Sequence, residues 1–150
     1  ILMNVLNMNL QLKNMEKATF SLEGYHFQEI SLCLDGLESS PTLSINFNPQ
    51  GEFIKSESVY NLKFSFNAKP ENTENSVVKV VCKATFKFQN VKTLEDIPDY
   101  FYPNSIAIIF PYVRALVSTL TLQANVKPIL LPTMNLSSLK DDLKANTIVK

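Results

Sequence analysis

The 150-residue sequence predicts an α+β fold: a four-stranded antiparallel sheet, one face covered by a long helix, with a short helix near the C-terminus. Three observations lead there. Several runs in the first ninety residues alternate apolar and polar side chains with period two, the pattern of strands buried on one face. A later stretch repeats its apolar residues at helical spacing. Between these runs lie clusters of Pro, Gly, Asn and Ser that suit turns.

Residues 1–18 form an N-terminal extension outside the domain at 19–150. Ile1, Val5, Met8, Leu12 and Met15 fit a helical stripe, while "LNMNLQLK" fits strand alternation equally well. The helical reading is preferred. From Thr19 to Leu34 the apolar register changes twice. Phe20 and Leu22 share one parity, Tyr25 and Phe27 the other, and Ile30, Leu32 and Leu34 return to the first. Bulges near Gly24 and Glu29 reconcile them in one bent strand.

Three cleaner strands follow. "TLSINFN" turns Leu43, Ile45 and Phe47 inward. "YNLKFSFNAK" turns Tyr60, Leu62, Phe64 and Phe66 inward. "VVKVVCKATFKF" does the same with Val78, Val80, Cys82, Ala84, Phe86 and Phe88. "NPQGEF" (48–53) and "AKPENTENS" (68–76) read as the turns between them.

After Lys92 the period changes. Ile106, Ile109, Phe110, Val113, Leu116, Val117, Leu120 and Ala124 form one stripe on a helix from Asn104 to Ala124 that covers the sheet. Pro111 either kinks this helix or opens a second segment. "VKPILLPTMN" is an extended apolar connection, and "SLKD" (138–141) has capping-box form, opening a helix to about Ala145.

The long helix has too many apolar sides. Opposite the stripe lie Ala107, Ile108, Ala115, Ser118, Thr119 and Leu122, with Tyr112 at the edge. Burying Ile108, Tyr112 and Leu122 is worth about 5–9 kcal/mol, at roughly 1.5–3 each. The small residues among them admit a second helix closely. This favours a homo-oligomer whose interface holds Ile108, Tyr112, Ala115, Thr119 and Leu122; the N-terminal segment packing there is the alternative. A membrane span is not expected, because Arg114 would sit mid-bilayer at a cost of about 2.5–3.5 kcal/mol.

No catalytic constellation is legible. His26 is the sole histidine, and no nucleophile-elbow, metalloprotease, P-loop or CxxC spacing occurs. No metal or other cofactor is expected. Net charge is zero, which argues against nucleic acid. Cys33 and Cys82 do not make a disulfide framework and are expected to be buried thiols in a reducing cytoplasm. The apolar start lacks the basic region and cleavage site of a secretory signal.

"YPNSIAIIFPYVRALVSTL" resembles SecB, the bacterial export chaperone family. The residues that carry the likeness are Pro103, Asn104, Phe110, Pro111, Tyr112 and Arg114. "LLPTMNLSSL" resembles the family's approach to its last helix. "EISLC" (29–33) and "VVCKATF" (80–86) resemble its first and fourth strands. The likeness covers about residues 19–145. It implies an ATP-independent holdase that binds unfolded client polypeptides and assembles as a homotetramer, a dimer of dimers. It also implies grooves lined by the segments flanking the long helix, here Tyr100, Phe101, Tyr102, Phe110, Leu130, Leu131 and Met134.

Export SecB docks the SecA motor through acids on its outer sheet face. Here Glu29 is the one such position that keeps a carboxylate and remains a candidate docking residue; the others fall at Cys33 and Lys83, with Lys79, Lys87 and Lys63 on the same face. This charge reversal argues against dedicated SecA docking. It favours another duty, such as a chaperone associated with a toxin–antitoxin pair or a mobile element. The reading from another class is an oligomeric binding protein that uses the same apolar cleft for one specific partner or small apolar ligand.

Overall fold

A computed structural model describes residues 20–35, 37, 41–133 and 135–150. The helical reading of the first residues, the N-terminal extension and Met134 lie outside them. The described strands are β1 (Phe20–Leu32), β2 (Leu43–Ile54), β3 (Val59–Pro70), β4 (Val78–Phe88) and β5 (Thr147–Val149). The helices are α1 (Phe101–Gln123) and α2 (Leu139–Ala145). Single 3₁₀ turns occupy Leu94–Asp96 and Leu136–Ser138.

The sheet order is β1-β4-β3-β2-β5. The first four strands pair antiparallel, as the alternation implied, and β5 adds parallel to β2. The sheet therefore has five strands rather than four. Both bulges in β1 are present: its register on β4 slips between Leu22 and Gly24 and again between Phe27 and Glu29. The inward residues of β3 and β4 are buried, and Phe47 of β2 is partly so. Ile45, expected inward, stays 38% exposed.

"NPQGEF" is strand, not turn. β2 runs through it, and the chain reverses at 55–58, where Ser58 takes a positive φ of 54°. Pro49 is tolerated because its carbonyl faces away from β3, accepting from Asn146 Nδ2 at 3.3 Å; its missing N–H therefore costs no bond to β3. Gly51 serves close approach. A Cβ there would lie 1.8 Å from the Tyr60 hydroxyl and 2.8 Å from Thr147 Oγ1. Those two oxygens hydrogen-bond at 2.7 Å, which fastens β5 to the sheet.

The long helix begins three residues earlier than the stripe suggested. The Phe101 amide donates to the Pro98 carbonyl at 2.9 Å, and Pro103 falls in the first turn, where its missing N–H costs little. Starting there turns Phe101 and Tyr102 into the core. α1 continues unbroken through Pro111. The carbonyl that Pro111 cannot satisfy belongs to Ala107, and both residues are exposed, so water can serve it.

By length and composition α1 could cross a membrane. Its apolarity serves packing here: Phe101, Tyr102, Ile106, Ile109, Phe110, Val113 and Val117 are buried within the domain. Phe101 is fully buried, with ring centroids of Tyr60 and Phe88 at 4.7 Å and Phe20 at 4.9 Å. Such contacts add to the area term that dominates aromatic burial.

Candidate functional site

The strand order dictates a half-open apolar feature. β1 lies beside β4, but β2 lies beyond β3, so residues 33–42 must pass the ends of two strands. Three strand spacings make about 14 Å. Ten residues exceed that reach, and the slack carries Leu34, Leu37 and Pro41 over the sheet end. This segment is held at both ends: the Cys33 amide donates to the Val77 carbonyl at 2.8 Å, and the Glu71 amide to the Thr42 carbonyl at 3.2 Å.

Facing it is the segment that follows α1. Asn125, at a positive φ of 59°, turns the chain out of the helix. The Val126 amide donates to the Thr121 carbonyl at 3.3 Å, and the Ile129 amide to Thr121 Oγ1 at 2.9 Å. The fully buried Thr121 hydroxyl itself donates back to the Val117 carbonyl at 2.9 Å. Between the two segments lies a half-open cavity of about 600 Å³. Leu34, Leu37 and Leu43 line one side, and Val126, Pro128 and Ile129 the other. A gap of this composition suits apolar side chains.

Of the residues expected to line a groove, Phe101, Tyr102 and Leu131 are at most 2% exposed and Phe110 is 7% exposed. In this conformation these four pack the core. Tyr100 and Leu130 are on the surface, 50% and 72% exposed. Sequence reasoning missed Leu34, Leu37, Pro41 and Leu43 as groove residues. Their signal was present: two leucines inside "LDGLESSP", a stretch too polar for a strand.

The expected interface face of α1 is open within the chain. Leu122 is 59% exposed, Ala115 and Thr119 are exposed, and Ile108 is half-buried against the core. Tyr112 is partly engaged, stacked on Tyr25 of β1 with ring centroids 4.2 Å apart. Beside it, Pro111, Arg114, Ala115, Ser118 and Leu130 surround a shallow hollow.

Catalytic chemistry finds no support among the described residues. No cluster of metal-ligating side chains is present there. Burial pushes the Cys82 thiol up to about 11, which keeps it protonated and unreactive. Cys33, expected buried, is exposed, because β1 ends one residue before it. Glu29 is exposed on the outer sheet face and ion-paired with Lys79 at 3.1 Å.

Residues 9–146 match the family model described as preprotein translocase subunit SecB. The chain belongs to the SecB family. That family is non-enzymatic. Among solved structures, the fold is similar to the SecB-like chaperone Rv1957 of Mycobacterium tuberculosis, determined in complex with a peptide from the HigA1 antitoxin. The TM-score is 0.60 at 17% identity, over 79% of this chain and 92% of that one. An uncharacterized protein of Methanocaldococcus jannaschii is 49% identical over 41 residues, which is 27% of this chain and 26% of the relative. The match thus spans about a quarter of that relative's length.

Proposed function

We propose that this member of the SecB family is an ATP-independent holdase chaperone. It captures extended apolar segments of non-native polypeptides in the groove between residues 33–43 and 124–131. The carrying observation is that groove: two irregular segments, each tied at its base, with leucines, valine, proline and isoleucine facing across a half-open gap. Burying client apolar area offsets the cost of ordering the client, so no nucleotide is needed. Leu130 adds apolar surface beside α1, and Tyr100, at the opposite end of α1 from Thr121, offers a separate exposed aromatic contact for a client. Phe101, Tyr102, Phe110 and Leu131 belong to the core in this reading. Met134, outside the described residues, is kept as a client-binding residue on the sequence resemblance alone.

The exposed face of α1 is the assembly face of this reading, joining copies as a dimer of dimers through Ile108, Tyr112, Ala115, Thr119 and Leu122. A cytoplasmic site of action accords with the free thiols. The Rv1957 complex supports clients of the antitoxin kind. SecA-directed export is disfavoured, because the carboxylate of Glu29 is neutralised by Lys79 on a face rich in lysine.

The test is suppression of light scattering from a chemically denatured client. Wild type suppresses it. Leu37→Ser and Leu130→Ser, both outside the fully buried core, protect poorly while keeping the native circular dichroism. If both protect as well as wild type, the groove is misassigned. Protection of none of several clients, with tight binding of one ligand, would favour a cleft built for a single partner or small apolar ligand.

A further inference from the structure

The outer face of the sheet, away from α1, carries a polar row set by register, with two lysines at its centre. His26 of β1 stands opposite Lys83 of β4, Lys83 opposite Lys63 of β3, and Lys63 opposite Gln50 of β2. Like charges facing each other on adjacent strands weaken a sheet. Lys63 opposite Lys83 is therefore a pair that folding alone does not favour. Among the described residues neither ammonium forms an ion pair.

The neighbouring cations on this face are engaged. Lys79 pairs with Glu29, and Lys87 Nζ donates to the Glu57 carbonyl. The adjacent polar row is also satisfied internally. Thr85 donates to Asn61 Oδ1 at 3.0 Å, Asn61 donates to Glu52 at 3.4 Å, and Glu52 is ion-paired with Lys150. Lys150, followed by Asn61, does most to hold the Glu52 carboxyl below its usual range, and Lys83 acts on it less. The two rows floor an open trough of about 520 Å³, walled at one end by Asn146 and Ile148.

We propose that this trough docks an acidic polypeptide segment, with carboxylates on Lys63 and Lys83 and neutral polar groups against Gln50, Asn61 and Thr85. Charge complementarity favours an anion. A polypeptide fits better than a nucleic acid for three reasons. The chain has zero net charge and so no far-reaching field for a polyanion. Glu52 sits in the same trough and repels a continuous line of phosphates, whereas a peptide can space its acids to avoid it. No Phe, Tyr or Trp lines the trough to stack a base. The site lies on the opposite side of the sheet from the groove residues, so it goes beyond client capture.

The test uses fluorescence anisotropy at low salt with a labelled peptide of alternating Glu and Ser, about 12 residues long so that it can cross the sheet. Its Gln–Ser counterpart and an oligothymidylate of similar length are the comparisons. The Glu peptide should bind, the Gln peptide should not, and added salt should release the complex. The Lys63→Gln/Lys83→Gln double variant should bind at least about tenfold more weakly. That variant removes a repulsion, so it should melt no lower than wild type and suppress client aggregation as before. The proposal is overturned by failure of the Glu peptide to bind or by equal binding to the double variant. Equal or tighter binding of the oligothymidylate overturns it too, as does loss of peptide binding in Leu37→Ser, which would move the site to the groove.

Discussion

Thr121 holds Ile129: the Ile129 amide donates to Thr121 Oγ1 at 2.9 Å, while the same hydroxyl donates into the helix at the Val117 carbonyl. One buried side chain thus fixes where the wall after α1 stands relative to the crossover segment opposite. Thr121→Val keeps the shape and removes the acceptor, leaving the Ile129 amide unpaired. The expected loss of stability is about 1–3 kcal/mol by urea unfolding. Client affinity should fall with it, while Thr133→Val, at an exposed position in the same connection, changes neither. Unchanged stability and affinity in Thr121→Val would show that the tie does not shape the groove.

Adjacent aromatics at the start of α1 should behave as opposites. Phe101 is enclosed by Phe20, Tyr60, Phe86 and Phe88. Phe101→Ala should cost about 3–5 kcal/mol. Tyr100, half-exposed, should cost far less as Tyr100→Ser and should instead weaken client binding. The same denaturation series reads both. A mild Phe101→Ala alongside a severe Tyr100→Ser would invert the placement of the helix start.

The fifth strand depends on a missing side chain. Gly51→Val would force its Cβ against the Tyr60 hydroxyl, breaking that group's 2.7 Å bond to Thr147. Overpacking of this kind costs about 1–3 kcal/mol. The specific signature is faster amide exchange at 147–150, whose bonds to Phe53 and Lys55 fasten the end of the chain. Exchange there at the wild-type rate would mean that β5 does not need the gap.

On the proposed reading, assembly is carried by the exposed side of α1. Leu122→Lys together with Ala115→Glu puts opposite charges on one face of a single chain and desolvates both in any contact between copies. Native mass spectrometry should show a tetramer for wild type and smaller species for the variant. A wild-type monomer at high concentration, or a variant that assembles fully, would remove α1 from the interface.

Much of the fold was legible because it rests on local periodicity. β3, β4 and the α1 stripe each read directly from spacing, and two changes of parity located both bulges in β1. What stayed hidden depends on partners far away in sequence. Pro49 and Gly51 look like turn residues until the neighbouring Asn146, Tyr60 and Thr147 are in place. Thr147–Val149 is too short to show alternation, and its partner lies about a hundred residues earlier. Tyr100, Phe101 and Tyr102 defied a single face as an extended loop, whereas on a helix two of them turn inward. The groove was half visible. The segment after α1 stood out by its apolar content, but its partner wall exists only because β2 lands beyond β3, and strand order is not written in alternation.

The most direct test is hydrogen–deuterium exchange of the whole chain with and without a permanently unfolded client. Capture should slow exchange at 33–43 and 124–131 strongly while β4 stays as it was. Client binding that leaves both segments exchanging freely, or protects the outer sheet face in their place, would contradict the groove.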